Sequence, residues 1–199
     1  EIYAGNSGWY DVADKHGFIV VFPTALHAKV DMPEQGLMPD WAPLNAWNVF
    51  LEDDRPDELK FFSFLLDKMI AEYPVDEHRV FATGHSWGSL MTEMLALGLT
   101  ERFAAVAPCS GAFFGGAYEK MTSLPYAAEN GVQLPIWMFW GMNEEWLIPS
   151  EPTHENETGL TVELWLKRNG KADMIPADWA QRTNTVNGRF KDHYFDREG

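Results

Sequence analysis

Short runs rich in apolar residues alternate along this chain with stretches of helical hydrophobic period. The runs lie at Phe18–Phe22, Arg79–Thr83, Phe103–Val106 and Pro135–Trp140, and each ends at or near a proline or glycine. Runs of this length, bounded by turn residues, are typical of strands buried on both faces of a parallel sheet. The pattern therefore predicts four strands.

Segments with apolar residues three and four positions apart lie between these runs and predict helices. The helices are expected at Ser7–Lys15, from Pro56 to just before Pro74, at Ser89–Leu99, and at Thr161–Arg168, where Asn169 and Gly170 close the last one. Strands that alternate with helices imply a mostly parallel sheet with helices on both faces. The predicted fold class is therefore α/β.

Residues 24–55 form the one long stretch without a sustained period, and Gly36 and several prolines interrupt it. Loops of this length are uncommon in compact domains and are often functional. We expect an ordered loop that faces a substrate. Four tryptophans in or beside predicted loops are candidates for lining an acyl or sugar pocket: Trp41, Trp47, Trp140 and Trp146.

Composition narrows the classes of function. The 199 residues, without internal repeat or linker, predict a single domain over 1–199. The net charge of −15 argues against nucleic acid and anionic membranes as partners. One cysteine, Cys109, allows neither an intramolecular disulfide nor a cysteine-based zinc cluster, and no apolar run reaches the roughly 18 residues of a membrane span.

The candidate chemistry centres on Gly84-His85-Ser86-Trp87-Gly88. This Gly-x-Ser-x-Gly motif lies between a predicted strand and a predicted helix, which is the setting of a nucleophile elbow. Ser86 is then the candidate nucleophile, and the backbone N–H of Trp87 would supply half of an oxyanion hole. Gly84 and Gly88 are expected where backbone segments pass close. The alternative is a structural serine in a tight turn.

An elbow of this kind requires an acid and then a histidine later in the chain. Glu144 follows the predicted strand at Pro135–Trp140 and is the candidate acid. Glu145 is the alternative, unless both are solvated loop acids. His154 lies among acidic residues and is expected at the surface. His193 lies inside the strand-like run 189–195 and is the remaining candidate for the base within the sequence.

A wider set of residues carries a family resemblance. The run Tyr73–Gly88, the segment Trp9–Thr24 and the segment Phe103–Pro108 with Ser110 and Gly111 resemble the poly(3-hydroxybutyrate) depolymerase-like and feruloyl esterase-like hydrolases, a carbohydrate esterase family 1-like group. The match extends over most of residues 9–145. The resemblance implies an α/β-hydrolase fold.

The resemblance also implies roles for single residues. Ser86 takes the place of the nucleophile, the backbone of Trp87 that of an oxyanion donor, and Glu144 that of the acid, although aligning the usual downstream proline with Pro149 favours Glu145. The family's second oxyanion loop is expected before residue 1 and its catalytic histidine after Gly199. We therefore expect this sequence to be an internal portion of a longer chain, incomplete at both ends.

The implied activity is hydrolysis of carboxylic esters through an acyl-enzyme, without metal or organic cofactor. Feruloyl or acetyl esters of plant polysaccharide, hydroxyalkanoate esters and small unnatural esters are all compatible substrates, and a secreted or periplasmic location is implied. Two alternatives remain open: a serine peptidase of the same fold, and a non-catalytic hydrolase-like binding protein. The sequence leaves the oligomeric state open.

Overall fold

The computed structural model describes residues 7–28, 44–113, 116–128, 132–141, 151–179, 184–186 and 190–192. These residues belong to two compact units, Glu1–Ala46 and Trp47–Gly199. The single-domain organisation expected from the sequence stays a prediction.

The first unit contains one helix and a short ladder. Helix α1 spans Trp9–His16 and ends at Gly17, where a φ of 69° allows the backbone N–H to turn back onto the carbonyl of Ala13 at 2.8 Å. This confirms the predicted helix. Strands β1, His27–Ala28, and β2, Leu44–Asn45, pair antiparallel. The ladder falls inside the segment predicted as a loop.

The strand predicted at Phe18–Phe22 is wrong, because residues 18–26 contain no strand. Phe18, Ile19 and Val21 are 42–48% exposed. An apolar run becomes a strand only where a neighbouring strand supplies backbone donors and acceptors. Among the described residues of this unit, the only strand ladder joins β1 to β2, and it does not include the run.

The second unit carries a parallel sheet flanked by helices. In chain order its elements are α2 (Glu58–Glu72), β3 (Phe81–His85), α3 (Trp87–Gly98), β4 (Ala105–Cys109), α4 (Ala117–Thr122), α5 (Glu157–Arg168), β5 (Asn184–Val186) and β6 (Phe190–Asp192), with short 3₁₀ turns at Glu77–Arg79, Thr100–Arg102 and Ala172–Met174. Strands β3 and β4 pair in parallel, and β5 and β6 pair antiparallel. The parallel pair confirms the predicted α/β class.

A third segment, 135–139, lies parallel to β4 without forming a continuous ladder. It is joined by bridges between Val106 and Ile136 and between Cys109 and Phe139. The backbone N–H groups of Val106 and Ser110 donate to this segment, but Pro108, midway between them, has no N–H. The strand predicted at 135–140 is therefore in place but interrupted. The expectation that Pro108 ends β4 is wrong, since β4 continues to Cys109.

Capping residues set the beginnings of the two long amphipathic helices. The Asp57 side chain accepts a hydrogen bond from the backbone N–H of Lys60 at the start of α2. At α5, Asn156 accepts from the backbone N–H of Gly159 at 2.8 Å. Helix α5 consequently begins four residues before the predicted Thr161.

Helix α3 forms the centre of the core. All its residues from Ser89 to Leu97 are buried, so this helix is covered on every side. Leu90, Met94 and Leu97 are at most 1% exposed and pack in the main cluster with Trp165 of α5. Among the described residues, no helix combines the length and the apolar content needed to cross a bilayer.

One acidic side chain is enclosed in this core. Glu93 of α3 is 0% exposed, and its Oε2 accepts a hydrogen bond from the Trp165 indole at 2.9 Å. Its Oε1 has no hydrogen-bond partner in the described part of the chain. Burial raises the pKa of Glu93 to about 8, although the hydrogen bond from Trp165 acts in the opposite direction. The carboxyl group is therefore neutral in the folded protein at pH 7.

Replacement of Glu93 by glutamine should alter how stability depends on pH. Between its unfolded and folded pKa values the wild-type carboxyl is protonated only when folded, so the free energy of unfolding falls by about 1.4 kcal/mol per pH unit as pH rises. Glu93→Gln removes this loss. The measurement is urea unfolding at pH 5 and at pH 7. The free energy of unfolding of the variant, relative to that of wild type, should be roughly 2 to 3 kcal/mol higher at pH 7 than at pH 5.

The exchange Glu72→Gln, at a half-exposed side chain paired with Lys68, controls for the general effect of replacing glutamate by glutamine. Parallel stability curves for wild type and Glu93→Gln between pH 5 and pH 7 would contradict a neutral buried carboxyl.

Candidate active site

Ser86 sits on a strained turn between β3, which ends at His85, and α3, which begins at Trp87. Its φ of 55° and ψ of −115° lie outside the backbone regions that residues other than glycine readily adopt. The Ser86 N–H donates to the Cys109 carbonyl at 3.0 Å, and the Ser86 carbonyl accepts from the Ser89 N–H at 2.8 Å. These bonds hold a half-buried serine in a conformation that costs about 1–3 kcal/mol.

Gly84 makes the close approach within this turn possible. A Cβ at this position would lie 2.2 Å from the carbonyl oxygen of Gly88. The expectation for Gly84 is therefore confirmed. For Gly88 it is wrong, because a Cβ there would meet no atom within 4 Å. In the close approach, the carbonyl group of Gly88 lies against Gly84, and the space beside the Gly88 Cα is empty.

The end of β4 packs directly beneath the elbow. Ser110 has a φ of 54°, and a Cβ on the following Gly111 would lie 2.5 Å from Cβ of Ser89 and 3.1 Å from the Ser86 carbonyl oxygen. Neither residue was assigned a structural role from the sequence. The signal that could have found them is a Ser-Gly pair four residues after the end of the predicted strand Phe103–Val106.

Hydrogen bonds bring three strand ends to one edge of the sheet. The Ser86 N–H binds the Cys109 carbonyl, and the Ser110 N–H binds the Phe139 carbonyl at 2.9 Å. Since the segments are parallel, their carboxyl ends lie at the same edge. The chain leaving Gly141 therefore starts from the edge on which Ser86 is exposed.

The other predicted site residues fall beyond the described part of the chain. Glu144 and Glu145 follow Gly141 within residues 142–150, and His193 lies within residues 193–199, all outside the described residues. Their roles stay proposals.

His154 is at the surface, as expected, with 43% of its side chain exposed. Its Nδ1 lies 2.6 Å from Oε1 of Glu163, and its Nε2 lies 3.3 Å from the Ala177 carbonyl. The hydrogen bond to Glu163 is the main reason that the pKa of His154 is raised. This ion pair joins α5 to the loop before it.

The indole of Trp87 has a defined place that the sequence did not predict. Its Nε1–H donates to the backbone carbonyl of Trp47 at 2.8 Å. Phe50 packs against the same ring edge to face, with centroids 5.7 Å apart. Only the backbone of Trp87 was assigned a role from the sequence, because a contact across forty residues leaves no local signal.

No group of three or more histidine, cysteine, aspartate or glutamate side chains is arranged to hold a metal ion within the residues that the structure describes. At the described edge of the sheet, Ser86 lies at the N-terminus of the buried helix α3. Donors at a helix N-terminus favour negative charge close to them.

Comparison with known proteins identifies the class. Residues 5–167 match the model of the Phospholipase/Carboxylesterase family. The chain belongs to this family of α/β-hydrolases, and its parallel sheet and elbow agree with that fold. The membership confirms the resemblance to esterase-like α/β-hydrolases.

The similarity of the chain to individual relatives is low. The chain is 27% identical over 120 residues to a bifunctional acetylxylan esterase/xylanase, XynS20E, of Neocallimastix patriciarum, a match that covers 60% of this chain and 15% of that protein. It is 28% identical over 120 residues to acetylxylan esterase A of Aspergillus awamori, covering 58% of this chain and 34% of the relative.

A probable feruloyl esterase C of Aspergillus niger is 27% identical over 97 residues, 49% of this chain and 36% of that protein. The chain thus spans about a third of the length of the two Aspergillus relatives, and less of the first.

Proposed function

We propose that the protein is a serine carboxylic-ester hydrolase in which Ser86 is the nucleophile. The observation that carries the proposal is the backbone of Ser86, whose φ of 55° places it at the turn between a parallel strand and a buried helix. A strained serine at this position is the mark of a nucleophile elbow. Membership in a family of phospholipases and carboxylesterases supports the same chemistry.

The proposed reaction has two halves. Oγ of Ser86 attacks the ester carbonyl carbon while a histidine takes the hydroxyl proton, and the resulting oxyanion accepts hydrogen bonds from the Trp87 N–H and a second donor. Collapse of the intermediate expels the alcohol, which receives the proton from the histidine. Water then attacks the acyl-enzyme by the reverse sequence and releases the acid and Ser86.

An acid orients the histidine in this scheme, and Glu144 is the proposed residue. It follows the segment 135–139, whose hydrogen bonds with β4 lead the chain to the edge that exposes Ser86. Glu145 is the alternative. For the histidine, His193 is the candidate that the sequence offers.

For the substrate we propose an acetyl or feruloyl ester carried on plant polysaccharide. The named relatives are acetylxylan and feruloyl esterases, and each is 27–28% identical to this chain over the matched residues. Hydroxyalkanoate esters draw no support from these names. A polymeric or small-molecule ester, without nucleic acid or membrane as partner, is consistent with the net charge of −15.

Covalent labelling of the full-length protein tests the proposal. A fluorophosphonate should add once to the protein, and peptide mapping should find the adduct on Ser86, because only an activated serine attacks such a probe at a useful rate. Acetylated xylo-oligosaccharides should slow labelling by occupying the site, whereas their deacetylated counterparts should protect less. The absence of an adduct would favour a hydrolase-like binding protein, whereas an adduct on another serine would exclude Ser86 and assign the nucleophile to that serine.

A further inference from the structure

The side chain of Trp87 makes specific contacts, although only the backbone N–H of this residue has a proposed role in catalysis. Its indole crosses to the loop at residues 47–52 and donates to the Trp47 carbonyl at 2.8 Å. Phe50 of the same loop contacts the ring edge to face. The side chain of the residue that follows the proposed nucleophile is therefore bound to the loop at residues 47–52.

That loop is itself held rigidly by Asn48, which is 3% exposed. Asn48 Nδ2 donates to the carbonyls of Glu52 at 2.9 Å and Pro56 at 3.1 Å, while its Oδ1 accepts from the Glu52 N–H at 2.9 Å. The loop passes through Leu51 with a φ of 51°. One buried amide thus closes the loop on itself.

Helix α2 anchors the same loop from the other side. The Asn48 N–H donates to Oε1 of Glu58, a residue that is 4% exposed. The ring of Trp47 lies 5.3 Å from that of Phe62 and 6.5 Å from that of Phe61, centroid to centroid. The carbonyl that receives the indole hydrogen bond is therefore fixed to a packed helix and not to a free loop.

We infer that the indole of Trp87 is a positioning element of the oxyanion site, an inference that rests on the proposed function. The peptide plane between Ser86 and Trp87 carries the proposed oxyanion donor, and the ψ of Ser86, −115°, sets the tilt of that plane. The hydrogen bond from the Trp87 indole to the Trp47 carbonyl restricts rotation of this peptide plane. An oxyanion donor acts only within about 2.7–3.1 Å of the developing charge, so its direction matters.

The expected consequence falls on the transition state and not on substrate binding. An interaction made only as the oxyanion forms changes kcat and leaves KM nearly unchanged. Removing a donor entirely costs about 10²–10³ in kcat. Loosening a donor that is still present should cost less, and we expect about tenfold, given how steeply rates depend on alignment.

The test is Trp87→Phe in the full-length protein, which keeps an aromatic ring against Phe50 but removes the N–H donor. We expect kcat to fall about tenfold with KM within twofold of wild type. Affinity for a trifluoromethyl ketone, which forms the tetrahedral oxyanion on the serine, should fall by the same factor as kcat.

Trp165→Phe is the matched control. It also removes a buried indole hydrogen bond, here of 2.9 Å to Glu93 of α3, but at a place remote from the proposed donor. This variant should lose thermal stability and keep kcat. A fall in kcat of equal size in both variants would assign the effect to general loosening of α3 and overturn the inference.

A second variant protects the test against a folding defect. Benzothienylalanine at position 87, introduced by genetic-code expansion, has the shape of tryptophan with sulfur in place of the N–H group. It should reproduce the loss in kcat. Wild-type kcat in this variant, or a change confined to KM, would overturn the inference. If Ser86→Ala keeps full activity, the proposed function itself fails, so the two failures are distinguishable.

Discussion

Replacing Ser86 by alanine should lower kcat for ester hydrolysis by about a million-fold, the scale at which removing a serine nucleophile abolishes covalent catalysis. The variant retains the turn but lacks the oxygen that attacks the carbonyl. Because alanine meets the same backbone strain at φ 55° as serine does, the free energy of unfolding should stay close to wild type. Hydrolysis of p-nitrophenyl acetate and of acetylated xylan by the full-length protein measures the loss.

Ser110→Ala provides a closely matched control. Ser110 shares the left-handed φ, at 54°, and it follows β4 as Ser86 follows β3. It is buried, however, and its N–H is bonded to the Phe139 carbonyl. We expect this variant to stay within about tenfold of wild type, as a substitution without loss of the nucleophile. Equal losses in both variants, or full activity in Ser86→Ala, would show that the strained turn is structural.

Elements whose signals are local could be predicted from the sequence. Helix α2 follows from a proline, two acidic residues directly after it and apolar residues three and four apart, and the structure places it at Glu58–Glu72. The elbow likewise follows from a short motif between a strand and a helix. In both cases the residues that determine the conformation lie within one or two turns of each other.

Features that depend on distant partners could not be predicted. The run Phe18–Phe22 has the composition of a buried strand, yet strand formation needs a neighbouring strand that composition does not identify. The bond between the Trp87 indole and the Trp47 carbonyl joins residues forty positions apart, and that between Trp165 and Glu93 spans seventy-two. Both of these hydrogen bonds depend on how α2, α3 and α5 pack.

Gly88 and Pro108 show how residue type alone misleads. The motif contains two glycines, but only Gly84 faces an atom that would collide with a side chain. Pro108 has the appearance of a strand terminator, yet β4 tolerates it because only its N–H is missing, and the ladder to 135–139 is interrupted instead. The surroundings of each residue in the fold therefore determine whether a glycine or a proline has the effect that its type suggests.

The acid of the proposed triad is open to a direct comparison of Glu144→Gln with Glu145→Gln. The segment 135–139 runs parallel to β4 and delivers the chain to the sheet edge that exposes Ser86, which favours an acid a few residues beyond Gly141. Glutamine keeps the size of the side chain but cannot stabilise the imidazolium. Glu144→Gln should lower kcat about 10⁴-fold, by analogy with the exchange of the triad aspartate for asparagine in serine proteases.

Glu145→Gln is the matched control, with the same chemical change one residue away, and should lose less than about tenfold if Glu145 is a solvated loop acid. The loss in Glu144→Gln should also be largest near neutral pH, where wild type has a correctly oriented neutral imidazole and the variant does not. A large loss only in Glu145→Gln would transfer the role to that residue. Small losses in both would mean that neither carboxylate orients the histidine, and that the acid must be sought elsewhere on the sheet edge.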